Sequence, residues 1–201
     1  MSMRKSAMPS PAVQLFRLAQ PRQASLVADI KDAADAALLH RILGRADVFI
    51  QNLAPGAADR AGVGSVKLRA RHPKLITVDI SGYGEGNAYS EMKAYDLLVQ
   101  AESGIASVTG LPEGPGRIGV SAADIACGMG AHAAVLEALV ERGATGRGRG
   151  RKTSLFAGMA DWMTVPLLYW EGTGVTPPRL GLAHPSICPT GTPEPAKATT
   201  V

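Results

Sequence analysis

The chain has 201 residues, with 21 Lys+Arg against 17 Asp+Glu, 46% hydrophobic residues and only 4% aromatic. That length suits one domain or slightly more, and the apolar content excludes a mainly disordered chain. Two cysteines in 201 residues exclude a disulfide-stapled scaffold and lead us to expect a reducing, cytoplasmic setting.

The formal charge of +4 is unevenly spread. Residues 1–24 hold Arg4, Lys5, Arg17 and Arg22 and no acid, leaving 17 bases against 17 acids in the remainder. The body is neutral, so nucleic acid is not expected as a partner. The sequence reads as having no apolar run that approaches the ~18 residues of a membrane span, so no membrane association is expected either. Residues 1–24, with three prolines and little periodicity, read as a disordered basic leader.

Ser25–Ile30 reads as a short apolar strand. Asp32 can cap a helix to about Leu43, and Gly44 stops it. Ala46–Gln51 is a second strand, Pro55–Arg60 a short helix, and Ser65 a possible cap for a helix ending before Pro73. Leu75–Ser81 (LITVDIS) is a nearly uninterrupted β-branched strand. Strands and helices alternating at this spacing predict an α/β, Rossmann-like parallel sheet flanked by helices.

A loop over 82–91 follows, then a helix from about Ala94 to Ala106. A loop over 109–119 carries four glycines and two prolines. A long alanine- and glycine-rich helix spans about Ala122 to Arg142, and the glycine–arginine stretch 143–152 reads as a loop. A short strand over Thr153–Phe156 leads to a helix near Ala157–Trp170. Residues 172–201, with six prolines and four glycines, read as an irregular linker and tail, which leaves 25–171 as the core.

Four stretches in order then carry a resemblance. They are Ala46-Asp47-Val48-Phe49-Ile50-Gln51-Asn52-Leu53-Ala54-Pro55-Gly56 with Asp59-Arg60; Ile80-Ser81-Gly82-Tyr83-Gly84 continuing to Lys93-Ala94-Tyr95-Asp96; Thr109-Gly110 through Gly119 with Ala123-Asp124; and Thr145-Gly146-Arg147-Gly148 with Arg179-Leu180-Gly181. Together, over roughly residues 24–190, they resemble the class III CoA-transferase family. That group includes formyl-CoA transferase, carnitine CoA-transferase and α-methylacyl-CoA racemase. Family members are longer, so the resemblance implies a truncated member without the first strand–turn–helix unit and the second domain.

The resemblance implies CoA transfer between an acyl-CoA thioester and a carboxylic acid. An enzyme carboxylate would attack the thioester and pass through acyl-anhydride and CoA-thioester intermediates. Asp124 matches the family nucleophile. It also ends Ser121-Ala-Ala-Asp124, a capping-box pattern that needs no catalytic reason. At a helix start, free N–H groups are expected to keep it anionic and to bind negative charge.

By the same resemblance Asn52, Leu53 and Ala54 contact CoA after a strand, and Arg60 meets its phosphates. Met92, Lys93, Ala94 and Tyr95 form a second CoA contact. No resident cofactor or metal is implied, since CoA is the substrate. An interlocked homodimer is. The alternatives are a non-catalytic fragment, or a racemase-type isomerase. The second is disfavoured because the racemase branch has a histidine where Tyr95 stands.

Cys127 reads as a small buried hydrophobe, His132 as a packing residue, and the arginine run of 146–152 as a turn rather than an RNA-binding tract.

Overall fold

The structure is a computed structural model that describes residue 24, residues 26–30 and residues 32–184. Residues 1–23, Ser25, Lys31 and residues 185–201, with Pro185, Ser186 and Cys188 among them, lie outside the described residues. The chain divides into two compact units, residues 1–39 and 40–201.

In the first unit, residues 26–30 form no strand, and Val27 is 96% exposed. Apolar β-formers without a neighbouring strand have no ladder to join, which is why this expectation fails. Asp32 starts helix α1 (Ala33–Leu43) as anticipated, its carboxylate accepting the Ala34 and Asp35 N–H groups at 2.9 and 3.0 Å.

The second unit continues with β1 (Val48–Gln51), α2 (Ala57–Arg60), α3 (Ser65–Arg71) and β2 (Ile76–Ser81). Next come α4 (Asp96–Glu102), α5 (Ile105–Val108), β3 (Gly110–Leu111) and β4 (Gly114–Pro115). The last described elements are α6 (Ala122–Thr145), β5 (Gly150–Ser154), α7 (Leu155–Trp162) and α8 (Thr164–Thr173). The main sheet has the order β1-β2-β5, all parallel, with Val48 opposite Ile76 and Thr77 opposite Gly150. Strands β3 and β4 form a small antiparallel hairpin.

Side-chain alternation places α3 and α6 on opposite faces of the sheet. A Cβ on Gly150 would run into the Arg69 guanidinium of α3, whereas Thr153, three residues on, touches Cys127 of α6 at 3.8 Å. The core between α6 and its neighbours is made of Tyr83, Val99, Ile105, Ala122, Ala123, Ala126 and Met159. Small residues on α6 allow the close approach: a Cβ on Gly158 of α7 would sit 3.1 Å from the Cys127 nitrogen.

Several boundaries depart from the sequence expectation. The single helix over 94–106 is two, α4 and α5, because Gly104 adopts a left-handed φ of 85° between them. The helix over 157–170 is also two. Pro166 has no N–H for the carbonyl of Trp162, so the chain breaks at Met163 and restarts with proline in the first turn of α8. Regular structure reaches Thr173, beyond the expected end at 171. The 143–152 loop is shorter than anticipated, since α6 runs to Thr145 and β5 starts at Gly150. Ser65 is the first residue of α3 rather than its cap, and its hydroxyl donates to Asp79 at 2.6 Å.

One expectation about apolar runs also changes. By length and composition alone α6 could cross a membrane, because its alanines and glycines count as apolar while being small. It packs instead against β2, β5, α4 and α7. At its C-terminal end Arg142 ties it to the lower end of the sheet, donating to the Asp47 carboxylate at 2.8 Å and the Lys74 carbonyl at 3.1 Å.

Candidate active site

Because α6 runs antiparallel to the strands, its N-terminus lies at their carboxyl edge, beside Thr153 at the end of β5. In open parallel sheets that edge is where ligands bind. Asp124 stands there in the first turn of α6, with an exposed side chain.

The helix start is capped differently from the sequence reading. Ser121 makes no side-chain cap hydrogen bond. The cap is Asp96, from the first residue of α4. Its Oδ1 accepts the Ala123 N–H at 2.8 Å and the Asp124 N–H at 3.4 Å. The Ala122 N–H goes to the Val120 carbonyl and that of Ile125 to Ser121. The N–H groups expected to be free for an oxyanion are therefore already engaged.

Asp96 is itself held. Its Oδ2 accepts from Gln100 Nε2 at 2.8 Å, and that amide also reaches the Val120 carbonyl at 3.3 Å. The Gln100 Oε1 takes the Ile118 N–H at 2.8 Å. Gln100 is fully buried, so one amide side chain locks α4, the 116–120 segment and the head of α6 into one arrangement.

Asp124 differs electrostatically from Asp96. Among the described residues its carboxylate accepts no hydrogen bond. Although the residue is exposed overall, desolvation of its carboxyl group against the head of the helix, and then the charge of Asp96, push its pKa above the ordinary carboxylate value. The helix start therefore does not lower its pKa below the ordinary carboxylate value. The shift leaves a more basic, less stabilised carboxylate. One turn on, Cys127 is buried beside Thr153, and burial raises its thiol, against a lowering by Thr153 and a further rise from Asp124. A thiol in that state is inert, in keeping with a packing role.

The segment 92–95 joins this group. Tyr95 is the N-cap residue of α4, directly before Asp96, and is 67% exposed. Met92 and Lys93 are exposed, while Ala94 is pressed against the end of β2: a Cβ on Gly82 would lie 2.3 Å from the Ala94 Cβ. The turn Asn52–Ala54 leaves the same edge from β1 and is exposed. Its shape comes from Gln51, whose Oε1 accepts the Leu53 N–H at 2.7 Å and whose Nε2 donates to Asp79 at 2.8 Å. Arg60 folds back over its own turn, donating to the Pro55 carbonyl at 3.4 Å, with its guanidinium where a Gly56 Cβ would be. Among the described residues no hydrogen bond links Asn52–Ala54 or Arg60 to Asp124.

Sequence reasoning missed Asp96, Gln100 and Asp79 as organisers of the site. Asp96 was in view as the end of the Lys93–Asp96 motif, but its partner lies 28 residues away. Of the arginines in 146–152, Arg149 and Arg151 both pair with Glu141 within the fold, and Arg151 lies on β5 rather than in the turn that was expected. The described residues hold no His/Cys/Asp/Glu cluster suited to a metal.

A family model for CoA-transferase family III matches residues 2–194. The chain belongs to CoA-transferase family III. Among curated relatives it is 36% identical over 167 residues to the acetyl-CoA:oxalate CoA-transferase of Acetobacter aceti, covering 82% of this chain and 43% of the relative. It is 35% identical over 166 residues to the succinate–glutarate CoA-transferase of Agrobacterium fabrum, covering 82% of this chain and 42% of the relative. A solved structure of a CaiB/BaiF family protein from Brucella suis superposes with a TM-score of 0.77 at 35% identity, covering 82% of this chain and 44% of that one. The family III chain thus spans less than half the length of these relatives. The parallel sheet with flanking helices is shared with that solved structure.

Proposed function

We propose that this chain carries the nucleophile-bearing half of a CoA-transferase site, with Asp124 as the nucleophile. The observation that supports this most is the contrast within the carboxylate pair. The Asp96 carboxylate accepts three hydrogen bonds, whereas that of Asp124 accepts none among the described residues and is pushed up in pKa at the carboxyl edge of the sheet. A carboxylate poorly stabilised by its surroundings is the better nucleophile.

In this reading an Asp124 oxygen attacks the thioester carbonyl carbon of an acyl-CoA. The C–S bond breaks, CoA thiolate leaves, and a mixed anhydride remains. The thiolate then attacks the aspartyl carbonyl carbon and releases the first carboxylate, leaving an aspartyl-CoA thioester. The acceptor acid attacks that thioester, freeing thiolate and forming a second anhydride. Thiolate attack on the new acyl carbon gives product acyl-CoA and regenerates Asp124. Because the first-turn N–H groups of α6 are taken by Asp96 and Val120, the donors for the tetrahedral oxyanions come from elsewhere in the assembled site.

CoA enters as a substrate, with a carboxylic acid as the second. Asn52, Leu53 and Ala54 border it on one side and Met92, Lys93, Ala94 and Tyr95 on the other. Arg60 meets a phosphate by swinging off Gly56. Assembly as a homo-oligomer in the cytoplasm belongs to the same reading.

The test is incubation of the folded chain with a panel of acyl-CoA thioesters, followed by mass spectrometry. An acyl or CoA adduct on Asp124, absent from Asp124→Asn, is expected. A folded sample that forms no adduct with any thioester would overturn the assignment and favour a non-catalytic role.

A further inference from the structure

We propose that the cavity lined by Tyr83, Asn87, Tyr89, Glu102 and Phe156 is a binding site for the head group of an organic cation, an alkyl- or quaternary ammonium. The cavity has a volume of about 460 Å³, within the usual range for small-molecule sites. Three of its five lining residues are aromatic. The Tyr83 ring lies 6.3 Å from Tyr89 and 6.0 Å from Phe156, with interplanar tilts of 44° and 41°. Rings tilted in this way do not cover one another's faces, so π-surface is left for a guest. The face of an aromatic ring attracts a cation.

The charge in the cavity is negative. Glu102 has no basic partner among the described residues, whereas Glu85 in the neighbouring loop is paired with Lys152 at 2.5 Å. A carboxylate among three rings favours a cationic guest and repels an anionic one. The buried Tyr83 hydroxyl interacts with the Glu102 carboxylate, so phenol and carboxylate stand together in the cavity wall. Burial, and then the hydrogen bond and charge of Glu102, push this phenol up to about 12, so it stays neutral and leaves the negative charge of the cavity on Glu102.

The cavity is preformed. Asn87 Nδ2 donates to the Tyr83 carbonyl at 2.9 Å, its Oδ1 accepts the Tyr89 N–H at 2.8 Å, and Ser90 braces the same turn. The Phe156 N–H is tied to the Gly82 carbonyl at 3.0 Å. Its position is also informative. Asp96, at one end of α4, touches the head of α6, and Glu102, at the other end, lines the cavity. Six residues of helix separate them, about 9 Å at 1.5 Å per residue. The cavity is therefore a neighbour of the Asp124 group and separate from it, and its occupancy does not depend on acyl transfer.

The experiment titrates the full chain with choline and with its neutral isostere 3,3-dimethylbutan-1-ol, read by calorimetry and by the tyrosine ring signals in NMR. Choline should bind saturably and at least about tenfold more tightly than the isostere. Glu102→Gln should weaken choline by a similar factor while leaving the far-UV circular dichroism unchanged, and Tyr89→Ala should weaken it as well. Equal binding of the neutral isostere, undiminished binding by Glu102→Gln, or no saturable binding of choline or tetramethylammonium to the folded chain would overturn the proposal. No thioester is present in these titrations, so their outcome is separable from that of the adduct experiment.

Discussion

Replacing Asp96 with alanine tests the central linkage of the site. The substitution removes the acceptor for the Ala123 N–H at 2.8 Å and the Asp124 N–H at 3.4 Å, and one acceptor of the buried Gln100 amide. Loss of a helix cap costs about 1 kcal/mol. Loss of a hydrogen bond to a charged group adds roughly 1.5–3 kcal/mol, softened here because Gln100 keeps the Val120 carbonyl at 3.3 Å. A total of about 2–4 kcal/mol corresponds to a fall in melting temperature of roughly 5–15 °C for a chain of this size. Asp96→Asn keeps an oxygen for the helix N–H groups but sets its NH₂ or oxygen wrongly for one partner, so about half that fall is expected. Both variants remove the like charge beside Asp124 and should let its pKa drop toward the ordinary carboxylate value. Thermal melts at fixed pH, with adduct formation measured in parallel, provide the readout. An Asp96→Ala chain that melts within about 1 °C of the parent would refute the idea that α4 caps α6 through this side chain.

Gly82→Ala should be strongly destabilising, since its Cβ would lie 2.3 Å from that of Ala94; adding Ala94→Gly should restore much of the loss, because the next nearest atom is at 3.6 Å, and urea midpoints of the single and double variants measure this. Asp124 has a folded pKa raised above its unfolded value, so its ionisation destabilises the fold at neutral pH and the penalty fades as pH falls through the folded value toward the ordinary one. Asp124→Asn should accordingly be more stable than the parent at pH 7, with the gap closing on acidification, as followed by denaturation at several pH values. Ile125, Met129, Leu136 and Val140 leave an exposed apolar stripe along α6, Val140 at 78%; the chain should self-associate, and Met129→Lys with Val140→Lys should lower the mass seen by light scattering.

The parallel sheet was legible because β1 (VFIQ) and β2 (ITVDIS) are short runs rich in β-branched and aromatic residues set between helical segments. Strand β5 was largely hidden by the adjacent charges of Arg151 and Lys152. Arg151 reads as loop chemistry in isolation, yet it reaches Glu137 and Glu141 on α6, and only the fold brings those carboxylates to it. Helix α6 was legible from its alanines and from the turn that follows Thr145. Its cap was not, since Ser121-Ala-Ala-Asp124 offers a local solution that the chain does not use, while Asp96 supplies a distant one. Asp124 could be singled out by resemblance. Its raised pKa could not, because it follows from burial and from a second carboxylate brought in by the fold. Arg60 was read as a free fork for phosphate, and its position across Gly56 is a property of the turn that spacing does not encode.

Asp79, on β2, accepts from both Gln51 and Ser65 through a single oxygen. The turn after β1 and the first residue of α3 therefore share one anchor that belongs to neither. Any attempt to graft a new recognition loop between β1 and α2 inherits that dependence. A loop redesigned without Gln51 would leave Asp79 with only Ser65, and a change at Ser65 would be felt at Leu53. For this fold the smallest exchangeable module at that corner comprises residues 51–65 together with Asp79, a discontinuous unit that a cut-and-paste of the loop alone would split.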